Sequence, residues 1–392
     1  MSRPWNRTPF TTSGWATLGT AVTLYTLGIL LGFPILVMLA VAGLALVALA
    51  AVTVVVRPKV RTTREIKPDR VSVGGTALGK LVVRSLARWP VPSLVVVDNV
   101  GGRPHDIPVP TLRAGGSRTV HYPVPIDRRG RLQLGPLTVE RRDPFGLFRR
   151  AQPQGGTSVL WVHPRVHQLR SLAVGTVPDF EGRTAVSKAG TTTFASLREY
   201  VPGDDPRRIH WRSTARTGQL IVRESVDTME PTVSVVLDCR ASMFDAATFE
   251  HAVELAASVT QSTAESGRPA RLRIVGQDPA SAAAAGAVSL LDHLAAAEQT
   301  TDSDPLRLLE EVDRGEPGGA LVVVTGTGEP AVVARLAEQR RRFAPVVVIV
   351  MVAEGAPMPA AHRRPGMVLL SARTAVEAAT AWNHFTLGGA IG

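Results

Sequence analysis

The sequence predicts a multidomain chain: an N-terminal transmembrane helical hairpin, a small antiparallel β-sandwich, and a C-terminal α/β domain of the doubly wound, Rossmann type. Three observations predict it. Residues 8–56 contain no Asp, Glu, Lys, Arg or His. Residues 66–165 alternate apolar and polar positions in short runs cut by Gly and Pro. Beyond Thr232, continuous apolar runs alternate with helical periods, as in a parallel sheet covered on both faces. A length of 392 residues with 45% hydrophobic content allows two or three domains with sizeable cores. The one cysteine, Cys239, excludes a disulfide framework and any multi-cysteine metal centre.

The hairpin comes first. Trp15–Phe33 and Ile35–Val56 are two apolar runs, and the second spans roughly 33 Å at about 1.5 Å per residue, enough for a bilayer core. Gly32-Phe33-Pro34 reads as the turn, because Pro34 disfavours helical geometry at Phe33. Arg3 and Arg7 precede the pair; Arg57, Lys59, Arg61, Arg64 and Lys67 follow it. The positive-inside rule then places both termini in the cytoplasm of a two-helix, multi-pass protein of the cell membrane. The apolar stretch is too long for a cleaved signal peptide. A single span starting at Ile35 stays open, because Thr17, Thr20, Thr23 and Thr26 dilute the first helix. The resulting division is 1–14 cytoplasmic N-terminus, 15–56 hairpin in the lipid bilayer, 57–170 basic β-rich domain, 171–230 connector with a dense charged motif, and 231–392 α/β domain.

Runs such as Arg70–Val73, Lys80–Arg84, Ser93–Val97, Arg118–Tyr122, Leu137–Glu140 and Ser158–Val162 predict the strands of the sandwich. The segment 57–170 holds 21 basic and 7 acidic residues. Its few aromatics argue against nucleic acid as the partner. Its place beside the hairpin points to anionic headgroups and solvent. Gly74–Lys80 has P-loop spacing, but Leu81 stands where the motif needs Ser or Thr for Mg²⁺ and a strand follows instead of a helix, so the glycines are read as turn residues.

Residues 194–224 are the most information-dense stretch. Asp205 is expected to cap a helix with Pro206 at its first position, the helix running to about Arg216 and ending at Gly218. Arg198, Arg207, Arg208, Arg212, Arg216 and Arg223 lie among Glu199, Asp204, Asp205 and Glu224, a density suited to an ion-pair network. This stretch, with Arg129–Leu137 and Asp143-Pro144-Phe145-Gly146-Leu147-Phe148 upstream, closely resembles the signature of the bacterial family called domain of unknown function 58. The order of parts resembles it over essentially the whole chain. The resemblance implies a membrane-anchored protein whose last domain is von Willebrand factor A-like, working with an AAA+ ATPase of the MoxR type in a chaperone-like assembly system. It singles out Arg198, Tyr200, Gly203, Asp204, Arg207, Trp211, Arg216 and Arg223 as signature positions, open to three roles: interdomain clamp, partner-docking surface, or catalytic cluster.

In the α/β domain, strands are expected at Val233–Leu237, Leu272–Val275, Leu321–Val324, Val346–Val352 and Met367–Leu370, with helices at Phe249–Ser262 and near 282–297, 304–313, 330–342 and 374–385. The family resemblance implies a Mg²⁺ site of pattern Asp-x-Ser-x-Ser with a supporting Thr and a second Asp. Here the pattern is degenerate. Asp238, Ser242 and Thr325 remain, Arg240 replaces the middle serine, and no aspartate stands near Gly326. The expectation is therefore no bound metal, with Arg240 paired to Asp238 in the ion's place, since a hard cation wants oxygen ligands and not a guanidinium. Gly326-x-Gly328 is read as a tight strand-to-helix turn, not a dinucleotide fingerprint, because Glu329 would crowd a pyrophosphate. No nucleophile-elbow or zinc-protease motif occurs. The expected function is a non-enzymatic, cytoplasm-facing scaffold with no cofactor, no nucleic acid and no small-molecule substrate. The alternative is a hydrolase-like enzyme using the Arg/Asp cluster of 198–216.

Overall fold

The computed structural model describes residues 10–55, 59–174, 193–201, 204, 206–226, 232–277, 286–301, 304 and 306–388, and the chain divides into two compact units, Met1–Val162 and His163–Gly392.

The first unit opens with α1 (Thr12–Leu31) and α2 (Pro34–Val55). Thr11 caps α1 by accepting from Gly14 N at 3.0 Å. Gly32 closes it at φ 69°, a left-handed conformation that glycine adopts without cost. Pro34 begins α2, so the turn expected at 32–34 is where the chain reverses. The helices meet through small residues: a Cβ at Gly28 would run into Val37, and Gly43 lies beside Ala21. Both helices are long and apolar enough to cross a membrane.

Ten strands follow: β1 (Val60–Lys67), β2 (Arg70–Ser72), β3 (Ala77–Ser85), β4 (Leu94–Val100), β5 (Arg103–Val109), β6 (Ser117–Val124), β7 (Gly130–Leu134), β8 (Leu137–Arg142), β9 (Arg149–Gln154) and β10 (Ser158–His163). One sheet runs β1-β3-β6, the other β2-β10-β7-β4-β8-β9 with β5 added to β4. The pairings whose register is given within both sheets are antiparallel. Alternate residues of β3 and β4 point inward, and Leu81, Val83 and Tyr122 of one sheet share a core with Val96, Ile107, Leu134, Val139 and Leu160 of the other. β1, β5, β7 and β9 were not among the expected runs. β1, β5 and β9 are rich in arginine or proline, β7 is a five-residue strand opening on Gly130, and β5 and β9 hold their prolines at outer positions.

The second unit contains a two-stranded ribbon, β11 (Thr193–Glu199) and β12 (Ile221–Val226), enclosing a 3₁₀ turn (Pro206–Arg208) and α3 (Trp211–Thr217). Its main sheet comprises β13 (Val233–Leu237), β14 (Ala270–Ile274), β15 (Ala320–Thr325), β16 (Val346–Met351), β17 (His362–Arg364) and β18 (Met367–Ala372) in the order β14-β13-β15-β16-β18-β17. The first five strands in that order are parallel and the short edge strand β17 is antiparallel. Helices α4 (Ala246–Glu265), α5 (Ala287–Ala295) and α8 (Ala375–Gly388) serve one face, α6 (Leu306–Asp313) and α7 (Pro330–Glu338) the other. Val235, Leu237, Val322 and Ile349 join the first core and Val236, Val323, Val348 and Val350 the second, as alternation along a strand requires. His163, the last residue of β10, and the irregular stretch after it belong to this unit. His163 meets Asp292 at 2.6 Å, His167 meets Glu254 at 3.1 Å, and Trp382 Nε1 donates to the Arg170 carbonyl at 2.9 Å.

Candidate functional site

In the ribbon module, β11 and β12 pair so that Arg198 lies opposite Val222 and Glu199 opposite Ile221. The guanidinium of Arg198 grips the Asp204 carboxylate with two parallel bonds, Nη1–Oδ2 at 2.7 Å and Nη2–Oδ1 at 2.6 Å. Asp204 Oδ2 also accepts from Val201 N at 2.9 Å, and Arg198 Nη1 donates to the Glu199 carbonyl at 3.1 Å. The pair therefore closes the turn leaving β11, with Arg198 exposed and Asp204 only partly covered. Tyr200 N donates to the Leu220 carbonyl at 2.8 Å, which continues the ribbon past β11.

The expected helix starts later than Pro206. The 3₁₀ turn comes first, Ile209 forms a bridge with Val222, and α3 begins only at Trp211 because His210 N donates to the Ile221 carbonyl at 2.7 Å, pinning that residue to the ribbon. Gly218, at φ 76°, ends α3 as expected. Gly203 and Asp205 lie outside the described residues, and of Arg223 the backbone alone is described. Small polar groups tie α3 down: Thr214 Oγ1 accepts from Ile221 N at 3.0 Å, and His210 Nδ1 meets Ser213 Oγ at 2.7 Å. α3 buries none of its residues. Trp211 is 67% exposed, Arg207, Arg212 and Arg216 are exposed too, and Arg212 and Arg216 make no ion pair among the described residues. Arg198 and Asp204 come together; Trp211 and Arg216 face outward.

The second constellation sits at the carboxyl ends of β13 and β15. In chain order the parallel strands run 2-1-3-4-5, so the strand order reverses at this place, where doubly wound sheets bind ligands. Asp238 N donates to the Val324 carbonyl at 2.9 Å, fixing the carboxylate between the two strand ends. Arg240 binds it bidentately, Nε to Oδ1 at 2.9 Å and Nη2 to Oδ2 at 2.8 Å, while Thr325 Oγ1 donates to Oδ2 at 2.8 Å. Arg240 Nη1 reaches the Asp304 carbonyl at 3.3 Å. The side chains of Asp238 and Arg240 are fully buried. Arg240 is held from behind by a parallel bridge to Thr300, whose N donates to the Cys239 carbonyl at 2.7 Å. Ser242 is exposed and stands apart from this network. A Cβ at Gly326 would run into the Met243 carbonyl, so the two strand-end loops touch, and Gly328 leads into α7 with Glu329 at its cap. The donors around Asp238 are a guanidinium and a hydroxyl, and among the described residues no three His, Cys, Asp or Glu side chains cluster to hold a metal.

A second buried Arg–Asp pair lies in the first unit. Arg64 Nη1 donates to Asp98 Oδ1 at 2.6 Å and Tyr122 OH to Asp98 Oδ2 at 2.6 Å. Burial, and then the Asp98 carboxylate, push the Tyr122 hydroxyl well above the usual phenol range. The Tyr122 ring lies over Gly79, its register partner, where any Cβ would collide with it. That explains one glycine of the false P-loop. The signal for this network was an arginine at an inward position of β1 and a lone acid inside the apolar run of β4.

With the geometry in place, comparison with known proteins is informative for the motif. The model of the family described as protein of unknown function DUF58 matches residues 196–351. That range takes in both constellations. The uncharacterized protein YeaD of Bacillus subtilis (strain 168) is 27% identical over 220 residues, and the match covers 54% of this chain and 54% of the relative, so the chain spans about half the length of the curated protein it matches. Among solved structures, the CARDB domain of the PF1109 protein of Pyrococcus furiosus is 21% identical and covers 27% of this chain and 94% of its own, at a TM-score of 0.21. The alkylpurine DNA glycosylase AlkC of Pseudomonas fluorescens is 16% identical, covering 28% and 34%, at a TM-score of 0.20. At those scores the fold rests on the sheet order and packing described above.

Proposed function

We propose that this chain is a membrane-anchored interaction protein facing the cytoplasm, held in the cell membrane by α1 and α2 with both termini inside, and that it works with an AAA+ ATPase of the MoxR type. In this reading the first unit is a sandwich-like spacer. The second is a von Willebrand factor A-like domain whose metal place is taken by Arg240. The observation that carries the reading is α3: a helix that buries none of its residues, presenting Trp211 between exposed arginines. Large aromatics and arginines are the residues that anchor protein interfaces. The closed state of the sheet's switch point agrees with it, because Asp238, the group best placed for chemistry there, has both oxygens engaged by Arg240 and Thr325.

The test is capture of the detergent-solubilised protein from its own cells, with and without ATP and Mg²⁺, beside Trp211→Ala and Arg216→Ala. Both side chains are exposed, so the variants should melt with the parent while releasing an AAA+ ATPase that the parent retains. Retention of the ATPase by both variants would remove α3 from the interface. An abundant, folded parent with no ATPase bound would sink the scaffold reading in favour of the hydrolase-like one.

A further inference from the structure

The motif Asp143–Phe148 makes up the turn between β8 and β9, and the structure gives it a contact 135 residues away in sequence. Asp143 is buried, its carboxylate accepting from Phe145 N at 2.9 Å and from Phe148 N at 2.6 Å, so the turn is rigid. Its far side is bonded to the start of α1: Thr11 N donates to the Leu147 carbonyl at 2.9 Å and Thr11 Oγ1 to the Gly146 carbonyl at 2.6 Å. Gly14 allows this approach, since a Cβ there would meet the Leu147 carbonyl. Leu147 and Phe148 pack with Val47, Ala50 and Val54 near the end of α2. Phe10 lies between Phe148 and Trp15, with ring centroids 4.4 and 4.9 Å away.

These contacts fix the level of the turn along the hairpin. Thr11 and Gly14 stand at the first turn of α1, so the turn lies within about 5 Å of the hairpin's open end at about 1.5 Å per residue. That level falls within the interfacial layer, which is about 5–8 Å thick on each side of the hydrocarbon core. Within the same turn Phe145 is 50% exposed, and Trp15, one turn into α1, is 56% exposed. Aromatics at this level form the belt of membrane proteins. Directly behind the turn, register pairs Arg142 with Arg149 and Arg141 with Arg150, within about 7 Å of it at about 3.4 Å per residue. Like charges facing across strands are unfavourable. Glu140 takes Arg142 and Arg149, and Asp106 also meets Arg142. The collar stays arginine-rich beside the helix ends.

We propose that this turn is an interfacial foot: Phe145 lies among the lipid headgroups of the leaflet where α1 begins, and the arginine collar behind it favours anionic lipid. The proposal rests on the membrane-anchored reading of the hairpin.

The test uses the full chain, with Cys239 replaced by Ala, in vesicles of neutral lipid with and without an anionic fraction. Phe145→Cys carries a fluorophore, and Val41→Cys on the exposed face of α2 carries the same one. Lipids bear a spin label either at the headgroup or deep in the acyl chain. Phe145 is half exposed, so its replacement leaves the core intact. The expected result is a greater loss of Phe145-site fluorescence with the headgroup label than with the deep one, enhanced by anionic lipid, and the opposite depth order at Val41. A Phe145 site that neither label quenches, with Val41 quenched by the deep label, overturns the foot and leaves the anchor standing. Equal quenching with and without anionic lipid overturns the collar's part. No quenching at Val41 overturns the spanning hairpin itself.

Discussion

Arg240 is the residue on which the second unit's centre turns. Its guanidinium and the Asp238 carboxylate are both fully buried, and each is the other's bidentate partner. Removing one leaves a buried charge without its counter-ion, which costs about 3–5 kcal/mol. Arg240→Ala should therefore lower the unfolding free energy of this unit, read from denaturant curves, by that order, and Asp238→Leu with Arg240→Met should recover most of it, because an apolar pair of similar volume needs no solvation. A double variant as unstable as Arg240→Ala alone would mean the pair is held for something other than charge balance. The Arg240–Asp238 pairing was anticipated through the family resemblance, because Arg240 stands where the Asp-x-Ser-x-Ser pattern has its middle serine. The bridge to Thr300 and the bond to the Asp304 carbonyl were not, since nothing local links residues 60 apart. Arg198 and Asp204 were readable as members of a network of six arginines and four acids, without the pairing between them. That Arg212 and Arg216 stay outside that pair was not, because a count of charges carries no direction.

At the scale of elements, α4 shows how a helix is started. Asp245 stands at its cap and accepts from Thr248 N at 2.7 Å. That backbone bond, and then the Thr248 side chain, hold the Asp245 carboxyl below its ordinary value of 3.8. A depressed carboxyl stabilises the folded chain above its unfolded pKa, and the contribution disappears as pH falls through the lower, folded value. Asp245→Ala should cost about 1 kcal/mol near neutral pH. Asp245→Asn keeps a capping oxygen but does not titrate, so the stability difference between parent and Asp245→Asn should shift only below about pH 4, in unfolding curves taken as a pH series. A shift centred near neutrality would assign the effect to a different group. The apolar strands of the parallel sheet were legible within a residue or two, Val233–Leu237 to the residue, because strands buried on both faces are continuous apolar runs. The strands β1, β5, β7 and β9 were not, because one face of each carries arginine, proline or glutamine, and the pairing that makes them strands is supplied by neighbours elsewhere in the chain.

At the scale of the whole molecule, the first unit is one body because the hairpin and the sheets share Leu147 and Phe148, each 5% exposed. A chain lacking residues 1–58 would present both to water next to Phe145, a contiguous apolar patch of the kind that drives association. Size exclusion with light scattering should find that truncated chain self-associated, and Leu147→Ser with Phe148→Ser should return it to a monomer. A monomeric truncation without those changes would show that the sheets cover the turn by themselves. The charge-free stretch pointed to a hairpin but left a single span from Ile35 open, and the Asp143–Phe148 motif was visible as a motif. What joined them was a long-range contact that no periodicity records. That contact also has a schedule. The helices are made about 90 residues before the turn, and at about 5–20 residues per second roughly 5–20 s of translation separate them. During that interval Val47, Ala50 and Val54 have no protein cover from the turn, and residues inserted between β1 and β8 would lengthen the wait without altering the finished contact.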